Sequence, residues 1–197
     1  MPYKIIIIFF ALIAVAAITA FVTSTQNSLA SSVVLSATPR KPAKTKTVAD
    51  LTYTEGEYDG KAITRTEAEW KQALTPAAFY VLRKEGTEKP YTGALNNNKK
   101  KGTYYCAACG LALFDSNAKY DSETGWPSFF QLINKKNVTE KTDNLLSEPR
   151  TEVECVRCGS HIGHVFDDGP QPTGLRYCMN SVALKFRAAR LSLDTLR

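Results

Sequence analysis

Histidine, methionine and tryptophan are scarce in this sequence, at two residues each, so chemistry that needs them is confined to very few places. A glycine-rich phosphate loop and a dinucleotide fingerprint are both missing, which removes the nucleotide-dependent enzymes built on those cradles. Apart from a pair of Cys-x-x-Cys-Gly units there is no internal repeat. With 11 glycines and 9 prolines in 197 residues the chain is not collagenous, and 44% hydrophobic against 22% charged residues excludes global disorder. The length suits one domain, or one domain and an appendage, with a core that needs no disulfide framework.

Positive charge is short where a duplex-binding surface would need it. Of the net +6, five charges come from Lys4, Arg40, Lys41, Lys44 and Lys46, all ahead of the first acid, Asp50. Residues 47 to 197 are left with +1 of that total, which gives nucleic acid no electrostatic footprint. The run Lys99-Lys100-Lys101 reads as a solvated loop.

Ile5 to Val22 carry no charge, and only Thr19 interrupts the apolar run. The length falls between a signal-peptide core and a spanning helix. Ser28-Leu29-Ala30 offers small residues for a signal peptidase, so residues 1–30 are expected to be a cleaved signal peptide or a retained membrane anchor. No cysteine follows at a lipobox position, which excludes a lipoprotein anchor. The protein is expected to be exported, to a periplasm or the medium, or anchored by residues 5–22. Residues 31–64, rich in Ser, Thr, Ala, Lys and Pro without apolar period, are expected to be a flexible linker. The working domain is expected over 65–190, with a tail at 191–197.

Thr66-Glu67-Ala68-Glu69 is a capping box followed by Trp70, Ala73 and Leu74 at helical spacing. A second helix is predicted from Thr75-Pro76 to a stop at Gly86. From Thr103 onward, short runs of Tyr, Phe, Val and Leu are broken by Gly, Asn, Asp and Pro, the punctuation of a β-meander. The expected fold is mainly antiparallel β with two leading helices.

Five cysteines remain to be placed. Cys106-Ala107-Ala108-Cys109-Gly110 and Cys155-Val156-Arg157-Cys158-Gly159 are two knuckles, a spacing that suits a closed, structural zinc site with four thiolate ligands. Two disulfides, or a thioredoxin-like pair, are the competing readings. Cys178 is left over, in Arg176-Tyr177-Cys178-Met179-Asn180. Read as a strand, Arg176, Cys178 and Asn180 share a face that continues to Val182, Leu184 and Phe186. A guanidinium beside a thiol favours thiolate, so Cys178 is either a nucleophile or a buried, inert thiol. His161 and His164 follow the second knuckle and suit a fixed proton donor, a core position or a spare ligand. Gly125-Trp126-Pro127-Ser128-Phe129 is a turn with an indole that could meet a methyl-sulfur group or fill the core. Asp167-Asp168-Gly169-Pro170 reads as a turn.

Taken together these residues resemble the methionine-R-sulfoxide reductases, also called the SelR domain, over about 66 to 187. The resemblance rests on Glu69-Trp70, the stretch from Leu82 to Gly93, both knuckles, Gly125-Trp126-Pro127-Ser128-Phe129, His161-Ile162-Gly163-His164-Val165-Phe166, Pro172-Thr173-Gly174 and Arg176-Tyr177-Cys178-Met179-Asn180. It implies two antiparallel sheets in a β-tent, structural zinc on Cys106, Cys109, Cys155 and Cys158, and Cys178 as the catalytic cysteine. It further implies a methyl pocket at Trp126, with Phe129 beside it, polar contacts to the sulfoxide from His161, His164 and Asn180, and activation by Arg176. Many members carry a second cysteine just before Gly-Trp-Pro-Ser-Phe; here that position is Thr124. An oxidised Cys178 would then be reduced by an outside thiol, a thioredoxin-like protein or a small molecule. Oxidised proteins or peptides are the expected substrates, and a monomer the expected state. A zinc-ribbon binding module and a disulfide-stabilised extracellular domain are the competing functions.

Overall fold

The computed structural model describes residues 52–189. The leader expected at 1–30 and the tail at 191–197 lie outside the described residues. Among those described, no helix is long and apolar enough to cross a membrane.

Two helices open the domain. In α1 (Glu67–Ala73) the Thr66 hydroxyl accepts from Glu69 N–H at 3.3 Å, and Thr66 N–H donates back to the Glu69 carboxylate at 2.8 Å. This is the reciprocal capping box that the sequence predicts. Helix α2 (Pro76–Lys84) is capped by Thr75, whose hydroxyl accepts from Ala78 N–H, and buries Ala78, Phe79, Val81 and Leu82. Its stop is not Gly86. Glu85 takes the left-handed conformation, at φ 55°. A Cβ on Gly86 would lie 2.2 Å from the exposed Tyr80 ring, which would have to turn aside.

Among the described residues, nine strands follow in two antiparallel sheets, in agreement with the mainly-β expectation. The first sheet holds β1 (Gly102–Cys106) between β2 (Ala112–Asp115) and β9 (Leu184–Ala188). The second contains β3 (Lys119–Tyr120), β4 (Ser128–Phe129), β5 (Val138–Asp143), β6 (Arg150–Cys155), β7 (Ser160–Phe166) and β8 (Arg176–Met179). Its spatial order is β3-β4-β8-β7-β6-β5. Between the sheets, Phe114 and Phe129 stack at 4.2 Å and Tyr104 meets Phe129 edge-on at 4.9 Å. Burying each such ring stabilises the fold by about 1.5–3 kcal/mol.

Two expectations are corrected. The single strand from Arg176 through Phe186 does not exist. Asn180 begins a 3-10 turn, Ser181–Ala183, and the chain crosses from the second sheet to the first before β9. The C-terminal part of the 31–64 linker is also packed rather than loose. Thr54 N–H donates to the Gly110 carbonyl at 2.9 Å, and Ile63 N–H to the Arg157 carbonyl at 2.7 Å. Asn137, fully buried, donates to the Gly56 carbonyl and accepts from Tyr58 N–H. Backbone groups of 52–63 thus satisfy turns that would otherwise face water unpaired.

β7 and β8 approach each other so closely that one position between them admits no side chain. A Cβ on Gly163 would lie 2.2 Å from the Cys178 carbonyl oxygen and 2.9 Å from Met179 Cα. Gly163→Ala is therefore expected to lower stability by about 1–3 kcal/mol through forced strand separation. Urea denaturation checks it; an unchanged midpoint contradicts it.

Candidate active site

Strand register assembles the site. Directly paired residues of neighbouring strands project to the same side of a sheet. Tyr120 pairs with Ser128, Ser128 with Cys178, Cys178 with His164, and His164 with Glu152. Five strands thus contribute one row of polar side chains, with Cys178 and His164 at its centre. The alternate residues, Phe129, Tyr177 and Met179, face the core. An ordinary strand would put His161 and His164 on opposite faces. A bulge at Val153/Glu154 shifts the β6–β7 register, and the two imidazoles end up 5.2 Å apart.

Each imidazole is held by a carboxylate. His164 Nε2 lies 2.9 Å from Asp143 Oδ2, and that oxygen also accepts from Arg150 at 2.5 Å. The Leu145 N–H, His164 and Arg150 hold the Asp143 carboxyl down at about 2. Asp143 is therefore a carboxylate near neutrality, which makes Nε2 the protonated nitrogen of a neutral His164 and leaves Nδ1 as acceptor. Burial pushes the His164 titration below its ordinary value, only partly offset by Asp143. His161 Nδ1 sits 2.6 Å from Glu152 Oε1. Its Nε2 is buried without a partner, as is the Tyr120 hydroxyl.

Cys178 is half-buried at the end of a small pocket of about 110 Å³ that is also lined by Trp126, His164, Arg150, Phe166 and Thr87. The Thr124 hydroxyl lies 3.9 Å from its sulfur. Ser122 links the Thr124 and Ser128 hydroxyls, at 2.9 and 2.6 Å. Burial pushes the Cys178 thiol up, and the opposing pull of Thr124, Arg176 and Ser128 does not cancel it. Arg176 thus acts in the expected direction, lowering the thiol, but burial outweighs it. Arg176 is gripped by Asp168 through two hydrogen bonds, 2.7 and 2.8 Å, and lies over the Phe166 ring at 4.3 Å. The guanidinium thus serves Asp168 and the sulfur at once.

Trp126 is half-buried and lines the pocket, its indole N–H donating to the Glu88 carbonyl at 3.0 Å. Phe129, expected beside the substrate, is fully buried in the inter-sheet core. It alternates with Ser128, so facing Ser128 toward Cys178 turns Phe129 inward. Asn180 lines the pocket, and its amide also ties two segments together: Nδ2 donates to the Ile162 carbonyl at 3.1 Å and Oδ1 accepts from Glu88 N–H at 3.0 Å. It is a strut between segments. Glu88 completes the strut, its carboxylate accepting from Ser181 and Val182 N–H at 2.6 and 3.1 Å.

Away from the pocket, the four knuckle cysteines converge. Their sulfurs all lie within 4.8 Å of one another, buried and without disulfide bonds, so this cluster could hold a metal ion. Gly110 and Gly159, at φ 76° and 60°, close the two turns. Arg83 on α2 donates to the Cys158 and Gly159 carbonyls, both at 3.0 Å.

The family model described as the SelR domain matches residues 74–188. The chain belongs to the SelR domain family. It is 55% identical over 127 residues to "Peptide methionine sulfoxide reductase MsrB" of Methanosarcina barkeri, covering 64% of this chain and 89% of that one. It is 51% identical over 125 residues to the MsrB of Leptospira interrogans, covering 64% and 95%. "Peptide methionine sulfoxide reductase B1, chloroplastic" of Arabidopsis thaliana is 51% identical over 130 residues, covering 66% and 64%.

In this SelR domain, reasoning from sequence finds Cys178, both histidines and Trp126 but misses their partners. Asp143, Arg150 and Glu152 lie in polar runs with no motif, and strand pairing alone brings them to the imidazoles. Asp168 reads as a turn residue until Arg176 is seen in its grip.

Burial and guanidinium pull Cys178 in opposite directions, which fixes the sign of a pH experiment. The rate of Cys178 alkylation by iodoacetamide is expected to rise with pH to a midpoint above the ordinary thiol value of about 8.5. Arg176→Gln is expected to move that midpoint further up. A midpoint below the ordinary value, or one unmoved by the substitution, contradicts the balance.

Proposed function

We infer that this chain is a peptide methionine sulfoxide reductase, an oxidoreductase, that reduces the R-sulfoxide by attack of Cys178. The observation that carries the reading is the cross-strand pair of Cys178 and His164 facing a one-side-chain pocket walled by Trp126. An indole wall suits the S-methyl group. The R preference rests on the family resemblance.

In the resting site Cys178 is a thiol and His164 a neutral imidazole fixed by Asp143. Nδ1 of His164 takes the thiol proton as the sulfur attacks the sulfoxide sulfur, and the same proton then serves the sulfoxide oxygen. His161, held by Glu152, stands behind as a second proton carrier. Oxygen passes to Cys178, so the thiol and sulfoxide become sulfenic acid and thioether, with the sulfoxide sulfur reduced by two electrons and Cys178 oxidised by two. Thr124 offers no thiol to resolve it. Two equivalents of an outside thiol, from a thioredoxin-like protein or a small molecule, restore Cys178 and release water and a disulfide.

For the cysteine cluster, the reading is structural zinc. A tetrahedron with Zn–S bonds of about 2.3 Å has edges of about 3.8 Å. The Cys106–Cys158 and Cys109–Cys155 sulfur separations, 3.7 and 3.5 Å, lie close to that edge. Bound there, zinc would supply a cross-link between the β1–β2 and β6–β7 turns and no open coordination position. The domain is proposed to act after export or at a membrane, carried by the uncharged segment at 5–22. A binding-module reading leaves the His164–Asp143 and Arg176–Asp168 pairs without a purpose.

Separate R and S sulfoxides, offered with excess dithiol, test the reading. The protein is expected to reduce only the R form, and Cys178→Ser to abolish turnover. Activity that survives in Cys178→Ser overturns the assignment of the nucleophile, and reduction of the S form overturns the epimer.

A further inference from the structure

The pocket holds one side chain and little more, at about 110 Å³ against roughly 300–1,000 Å³ for sites that enclose a whole small molecule. Polypeptide on either side of an inserted methionine sulfoxide must therefore cross the rim. Three large apolar side chains stand exposed on segments next to the site. Leu145 and Leu146 are 71% and 59% exposed, and Tyr91 is 68% exposed.

These residues belong to two segments tied to the site by hydrogen bonds. The β5–β6 loop begins at Asp143, whose carboxylate accepts from Leu145 N–H at 2.8 Å while holding His164 and Arg150. Arg150 ends the loop and lines the pocket. Tyr91 N–H donates to the Gly125 carbonyl at 2.8 Å, next to Trp126. In the sheet order, Gly125 and Trp126 precede β4 on one side of the β8–β7 pair, and the loop joins β6 and β5 on the other. The pocket mouth is thus flanked on both sides.

Resting on the reading above, we propose that Leu145 and Leu146 dock the apolar side chains that flank methionine sulfoxide in an extended segment of an oxidised protein. Such side chains are hidden in a well-folded protein and presented by an unfolded or loosened one. Because the loop is anchored at Asp143, docking on it holds the segment in fixed relation to His164. Apolar burial supplies affinity that no group inside so small a pocket can add.

The test uses the full chain with excess dithiothreitol and three substrates: free methionine R-sulfoxide, and pentapeptides with that residue flanked by leucines or by glycines. L145S/L146S is expected to lower kcat/KM on the leucine peptide roughly tenfold, through KM, and to leave the other two within about twofold. Equal loss on all three substrates overturns the proposal, since the loop would then act only through Asp143. So does no loss, or a loss seen only when a protein thiol limits turnover, which would make the loop a reductant dock. A wild-type chain inactive on all three overturns the functional reading itself.

Discussion

Pairing of β7 with β8 is the constraint on which the site depends. It fixes His164 opposite Cys178, and it requires a residue without a side chain at 163, where the two backbones come too close for a Cβ. A slip of one residue would turn the cysteine into the core and expose Tyr177 in its place. The neighbouring pairings extend the same row to Ser128 and Tyr120 on one flank and to Glu152 on the other. Chemistry here is a property of register before it is a property of any single residue.

That row is braced from behind. The four buried cysteines lie where the turn after β1 meets the turn after β6; Arg83 bonds to carbonyls of the second turn and the segment 52–63 to carbonyls of both. β6 leaves the Glu152 carboxylate aimed at His161, and β7 leaves the knuckle directly into the two histidines. A loosened cluster would transmit to the imidazoles within a few residues. Glu88 and Asn180 brace the other end, where the chain leaves β8 and changes sheets.

Local signals in the sequence were informative where local physics decides. The capping box at Thr66 and Glu69, the Thr75-Pro76 start and the knuckle glycines act within four residues, and each stands where its spacing indicates. Cys178 was legible as the unpaired fifth cysteine. What the sequence could not reveal needed long-range pairing. The bulge that turns His161 beside His164, the carboxylates of Asp143 and Glu152, and the Asp168 grip on Arg176 come from other strands or a separate loop. Phe129 faces the core for the same reason: adjacency to functional neighbours does not tell which face a side chain takes.

Cys178 is raised in pKa by burial and flanked by hydroxyls rather than by a second thiol, so the proposed chemistry would stop after a single oxygen transfer unless reductant arrives. The most direct measurement is a single turnover without reductant, followed by intact mass and peptide mapping. One methionine per protein, with Cys178 at the sulfenic level and the other four cysteines unchanged, is the predicted result. A disulfide between Cys178 and any knuckle cysteine, or methionine formed while Cys178 stays a thiol, would contradict the account.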